Sequence, residues 1–235
     1  MLENEYREKL IKSLLACGLP QELAEETACE KSLWFLYRNK WTSEDSAFWN
    51  FNDKLQQAAD YLKISKGQYL CAALTHPQLF YQSLESIKFN VEGAAELLDI
   101  PAHRYIEAAL KRPSLLSLSP QMVYEHFVAL KKAQENGHIV SNDLMSDILN
   151  NPITLVYSAK NTTLRDFHAT MFDRKRTLGD FFRKKTKSQV ENEIFECLTQ
   201  EFQAGASVFL DQARELHAQG ILSRLPMFEM TAAPA

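Results

Sequence analysis

The stretch Ala108-Ala109-Leu110-Lys111-Arg112-Pro113-Ser114-Leu115-Leu116 constrains the fold most, because the chain contains it more than once. Ala72-Ala73-Leu74-Thr75-His76-Pro77-Gln78-Leu79-Phe80 matches it closely, and Asp147-Ile148-Leu149-Asn150-Asn151-Pro152-Ile153-Thr154-Leu155 more loosely. The three prolines stand 36 and 39 residues apart. A period of that length belongs to helical repeat arrays. Ahead of the prolines lie Ile64, Ile100 and Ile139 at a constant offset, and behind them Ile87, Val91 and Ala94 correspond to Val123, Phe127 and Leu130.

One unit reads as a helical hairpin. Pro101 fits a first helical turn, where fixed φ and a missing N–H cost nothing. That helix stops before Pro113, which disfavours α geometry in the residue ahead of it. Leu115 and Leu116 form an apolar plug. Ser119-Pro120 caps and opens a second helix, with Val123, Phe127 and Leu130 as its buried stripe. A single hairpin cannot cover its apolar face and must stack on its neighbours. The expected fold is therefore all-α, a solenoid of about three hairpins with Leu74, Leu110 and Leu149 buried at equivalent points. Only seven glycines and no alternating Val/Ile/Thr runs agree with that class.

The Pro-x-Leu-Leu ending with a Ser-capped second helix, carried by Arg112-Pro113-Ser114-Leu115-Leu116 and Ser119 to Leu130, resembles the repeat of the mitochondrial transcription termination factor (mTERF-like) family. The resemblance covers roughly residues 58–165. It implies a right-handed helical solenoid that binds nucleic acid on a basic concave face.

The expected organisation is an N-terminal helical cap over 1–57, repeats over 58–165, a basic polar connector over 166–188, and a C-terminal helical region with a frayed tail over 189–235. In the cap, helices are expected over about 3–16, ending at Gly18, from Pro20 to near Lys40, and from a cap at Thr42-Ser43-Glu44-Asp45. All three tryptophans (Trp34, Trp41, Trp49) fall there, as an anchor onto the first repeat or a ligand pocket. In the C-terminal region Val190, Ile194, Leu198 and Phe202 make a ladder that Val208, Phe209, Ala213 and Leu216 resume, with Glu191, Glu193, Glu196 and Glu201 outside. This helix packs on the solenoid or docks a partner.

Charge is distributed unevenly. Residues 174–187 hold Arg174, Lys175, Arg176, Arg183, Lys184, Lys185 and Lys187 against Asp180, a local +6 in a chain of net −4, so the remainder carries −10. Phe181-Phe182 sits inside this run. Basic residues with interleaved aromatics meet phosphates by charge and bases by stacking; otherwise the phenylalanines pin a solvated connector to the body. The repeats themselves are electrically neutral. Arg104, Lys111, Arg112, Lys131 and Lys132 would have to share one face to extend the basic surface.

Cys17, Cys29, Cys71 and Cys197 form no Cys-x-x-Cys pair, which argues against zinc and disulfides and for buried thiols in a reducing compartment. The acidic start and the absence of a long apolar run lead to a cytoplasmic expectation without membrane partners. No phosphate loop, His-Glu-x-x-His or nucleophile elbow is present. Arg165, Asp166, His168, Asp173 and Arg174 form the one local cluster with possible acid–base chemistry, yet Asp166 and His168 would point to different sides of a helix. The expectation is a non-enzymatic binding protein without cofactor or metal. Its partner would be DNA or RNA, bound through the basic segment with Arg104, Lys111, Arg112 and Lys131. The alternative is a protein-binding scaffold or inhibitor regulating a secretion, conjugative-transfer or defence component.

Overall fold

The structure, a computed structural model, describes residues 2–16, 18–38, 44–80, 82–183, 185–201 and 207–224, and of these the side chains outside 2–6, 9, 30–38, 44–52, 199–201 and 207–208. Among the described residues there are twelve α-helices and no strand. They are α1 (Leu2–Ala16), α2 (Gln21–Arg38), α3 (Glu44–Leu62), α4 (Lys66–Thr75), α5 (Leu84–Leu97), α6 (Ala102–Lys111), α7 (Pro120–Glu135), α8 (Leu144–Asn150), α9 (Ala159–Met171), α10 (Leu178–Phe182), α11 (Lys187–Glu201) and α12 (Ser207–Ala218). The three repeated prolines each open a 3₁₀ turn: Pro77–Phe80, Pro113–Leu116 and Pro152–Leu155. The all-α helical-repeat expectation holds, and the prolines lie at helix ends. The chain forms two compact units, Met1–Pro120 and Gln121–Ala235.

Four consecutive helix–turn–helix segments, called hairpins below for their connecting turns, follow one another along the chain: α4–α5, α6–α7, α8–α9 and α10–α11. By packing, α4 lies on α3 and α5 on α6 in the first unit, and α9 on α11 in the second. Their second helices are set by hydroxyl caps. Ser83 accepts from the Ser86 N–H, Ser158 from Asn161 and Thr186 from Gln189, which satisfies donors that a helix start leaves open. Helix ends are equally regular. Before each hairpin the chain turns through a left-handed residue, Lys63 (φ 56), Asp99 (φ 54), Gly137 (φ 79) and Asp173 (φ 44). In every case the next amide reaches back five residues: Ile64 to Ala59, Ile100 to Ala95, His138 to Ala133 and Arg174 to Ala169. This is the Schellman arrangement. Gly18 and Gly220 end α1 and α12 in the same way, with Leu19 bonding back to Leu14 and Ile221 to Leu216.

In the first two hairpins a buried tyrosine locks the turn. Tyr69 donates its hydroxyl proton to the Leu79 carbonyl (3.3 Å) and Tyr105 to that of Leu115 (3.1 Å). Leu115, Leu116, Val123 and Leu130 are fully buried, as are Val91 and Ala94 in the hairpin before. Leu149 is buried as expected, but Leu74 and Leu110 are only half-buried. The inward positions of α4 and α6 are the preceding residues, Ala73 and Ala109, so small side chains bring these helices close to their neighbours. Pro101 is the extended N-cap of α6 (ψ 138) and not its first helical residue.

Two further readings change. The polar run from Ser158 to His168 forms the cap and body of α9, whose inner side holds Leu164 and Phe167. Residues 166–188 contain the end of α9, the short α10 and the start of α11. Cys29 and Cys71 are exposed and Cys197 is half-buried, because they sit on outward faces of α2, α4 and α11; Cys17 lies outside the described residues. The inner face of α2 is Ala24, Thr27 and Ala28. The tryptophan side chains, Thr42-Ser43 and Phe202 also lie outside the described set. In the second unit Leu164, Phe167, Val190, Ile194, Leu198, Ala213 and Leu216 form one core with Phe209 partly buried against it, so the described positions of the ladder in α11 and α12 face inward, while the Val208 side chain lies outside the described set.

Candidate functional site

Hairpins are joined by a recurrent polar rung. Seven residues after Ser83, Ser119 and Ser158 stand Asn90, His126 and Arg165, and each reaches a carbonyl in the following turn. Asn90 donates to Leu116 O (3.0 Å), His126 Nδ1–H to Leu155 O, and Arg165 Nη1 to Phe181 O (2.9 Å) with Nη2 to Lys185 O. Asn90 and His126 are buried. A buried carbonyl without a partner is costly, so the rung fixes where the next turn sits. At the same offset after Thr186 comes Glu193. It takes a 2.6 Å bond from His168 Nε2–H and pairs with Lys185.

The second unit departs from the regular hairpins in its linkers. Ile64-Ser65 and Ile100-Pro101 are two residues long and lead into ten-residue first helices. The third hairpin instead has residues 138–143 before a seven-residue helix, and the fourth has 174–177 before a five-residue helix. These two linkers pair in parallel. Arg176 N–H donates to His138 O (3.0 Å) and Val140 N–H to Arg176 O (2.8 Å). The basic linker is thereby held by its backbone. Arg174 and Lys175 project exposed, while Arg176 is half-buried. Arg174 lies over the Phe172 ring (5.2 Å).

The rest of the basic run divides by environment. Arg183 and Asp180 are both exposed and 3.7 Å apart; Lys187 lies 3.7 Å from Glu191; Lys185 pairs with Glu193. Lys184 is outside the described residues. Phe181 and Phe182 are buried, so they pin α10 to the body and are withdrawn from base stacking. Glu191, read as outward, is buried because it receives the Ser223 N–H (3.1 Å) and hydroxyl (2.8 Å). Lys185 and Lys187 join Arg165, Tyr157 and Asn161 around a cavity of about 340 Å³. Lys131 is exposed on α7. Arg104, Lys111 and Arg112 are exposed on or at the end of α6 in the first unit, and the Arg112 charge, after burial, helps hold the His76 imidazole below its usual pKa.

Asp166 and His168 do face opposite sides of α9. Asp166 receives His138 Nδ1–H (2.7 Å) on one oxygen and the Asn136 amide (2.6 Å) on the other. His138 and Asp166 line an open cleft of about 520 Å³ with Lys132, Gln212 and Glu215. This pairing could not be read locally, since 28 residues separate the partners. His168 is 3% exposed; burial lowers its pKa against the opposing pull of Glu193. Burial alone would raise the Glu193 pKa, but the bonds from Lys185 and His168 outweigh it and hold the carboxyl low. No group of three or more potential metal-ligating side chains occurs among the described residues, and no described helix is long and apolar enough to cross a membrane. No protein-family description, no curated protein and no solved structure matches the chain.

Proposed function

We propose that this chain is a non-enzymatic, mTERF-like helical-repeat protein that binds nucleic acid through the linker and turn of its fourth hairpin. The observation that supports this reading most is the bridge between residues 138–140 and Arg176, which fixes a tripeptide of cations by backbone hydrogen bonds and leaves Arg174 and Lys175 in solvent. A rigid exposed cation loses little entropy when it meets a phosphate. With Phe181 and Phe182 buried, recognition through this segment would run through the sugar–phosphate backbone, and sequence preference is expected to be low.

The test is a salt titration of duplex and single-strand binding by fluorescence anisotropy. Each phosphate neutralised contributes about 0.7 to 0.9 to the slope of log affinity on log salt. Replacing Arg174, Lys175 and Arg183 by alanine is expected to shallow that slope by about 2 and leave thermal stability unchanged. No binding of DNA or RNA at low salt eliminates the reading. The second reading, a protein-docking scaffold, is favoured by Phe89, which is 68% exposed on α5 in the electrically neutral repeats. Retained nucleic-acid binding by Phe89→Ser separates the two.

A further inference from the structure

The cavity bordered by α9, Phe182, Lys185, Thr186 and the start of α11 has an unbalanced charge. Its lining includes Arg165, Lys185 and Lys187 and no carboxylate. Lys185 and Lys187 have acidic partners outside the lining, Glu193 and Glu191. Arg165 does not. Its guanidinium is spent on two neutral carbonyls, Phe181 and Lys185, and lies 5.5 Å from the Phe182 ring. Burial depresses its pKa, Tyr157 opposes that, and the neighbouring Arg176 charge adds to it. A half-buried cation without a counter-ion is unfavourable and attracts an anion.

The remaining walls describe what the anion is attached to. Tyr157 stacks on Phe182 at 4.7 Å with the rings 13° apart, and Leu164 and Val190 continue the apolar side. Asn161 adds an amide. About 340 Å³ lies at the small end of organic-ligand sites and far exceeds what one inorganic anion fills. Three cations and an aromatic pair in one lining are the groups that take a phosphate and the ring system bonded to it.

We infer that this cavity binds the phosphomonoester of a nucleotide, with Arg165, Lys185 and Lys187 facing the phosphate and Tyr157 beside the base or sugar. The inference deepens the nucleic-acid reading, because Lys185 and Lys187 belong to the same basic run, and it assigns that run two roles. Arg174, Lys175 and Arg183 hold internal phosphates without selection. The cavity selects a terminal one. Two sources carry this group: the 5′ end of a strand and a free mononucleotide.

The experiment uses the full chain and three probes: a 5′-phosphorylated oligonucleotide, the same oligonucleotide with a 5′-hydroxyl, and AMP by calorimetry. The phosphorylated strand is expected to bind about tenfold or more tightly than the hydroxyl strand. AMP is expected to bind and to compete away that difference. Lys187→Gln should abolish the preference and Lys187→Arg restore it. Lys187 is 40% exposed and contributes little to the fold, and Lys185→Gln provides a second variant whose folding is checked by thermal melting. Equal binding of both strands with no AMP binding overturns the cavity and leaves the backbone-binding reading standing. AMP binding without strand binding supports the cavity, identifies the free nucleotide as its source and removes the nucleic-acid reading.

Discussion

The second and third hairpins share a frame and differ in what fills it. In the second, the turn is plugged by Leu115 and locked by Tyr105, and the linker before it is Ile100-Pro101. In the third, Thr154 takes the place of Leu115, Leu144 that of Tyr105, and six residues from His138 to Asp143 replace the short linker. The hairpin with the apolar plug is a building unit. The altered one starts its first helix three residues later in register, and residues 138–140 of its lengthened linker hold the basic linker of the next hairpin. The Schellman ends and polar rungs survive in both, so the scaffold tolerates loss of the plug and the lock while a new surface is built.

The largest expected effect tests the plug. Leu115→Ala should destabilise the first unit by about 2 to 5 kcal/mol in urea denaturation, as removal of a fully buried leucine does. Leu110→Ala should cost clearly less, since that side chain is half-buried. Equal costs would mean that α6 packs through a different face. The lock comes next: Tyr105→Phe leaves the buried Leu115 carbonyl without a donor and should cost about 1 to 3 kcal/mol. Thr154→Val removes a hydroxyl bonded only to the Asn151 carbonyl within the same turn and should cost about 1 kcal/mol or less.

Acid should sharpen the contrast further. His168 has its pKa lowered below 6.5 in the folded state, so the unfolded chain takes up this proton first. The associated stability is complete above pH 6.5 and is lost as pH falls from there toward the folded value. Glu193, held below 4.5 by Lys185 and His168, adds a second loss as pH falls below that point. A melting series from pH 8 to 4 should therefore show a decline that His168→Gln reduces in its upper part. His76, also lowered by burial and Arg112, acts in the same direction in the first unit, and His76→Gln isolates its share. The smallest effect belongs to Arg183→Ala. Its exposed 3.7 Å pair with Asp180 should be worth less than about 0.5 kcal/mol, so any change in nucleic-acid binding by this variant is functional.

The sequence made the first two hairpins legible because proline positions, hydroxyl caps and apolar stripes are local signals that recur in phase. The fourth hairpin was hidden. It has no proline before Thr186, and its five-residue α10 is too short to show a helical period. Glu191 and His126 read as solvent-facing or unassigned because periodicity registers apolar side chains and says nothing of a polar group whose partner, Ser223 or Leu155, lies about thirty residues away. The basic run was visible as composition. Its division into exposed cations, paired lysines and buried phenylalanines depends on the bridge between two linkers, and no spacing rule announces a single pair of backbone hydrogen bonds.

The polar rungs have a kinetic consequence. Asn90 to Leu116 spans 26 residues, His126 to Leu155 spans 29, and Arg165 reaches only 16 and 20 residues ahead. Every rung therefore closes a short loop, and loop-closure entropy rises only slowly over such lengths. A chain whose long-range order is assembled from such local steps should fold on the fast side for its size, with nucleation possible at any hairpin and growth in both directions. Asn90→Ala and His126→Ala should then slow propagation across a single joint, leaving the hairpins on either side to form at unchanged rates.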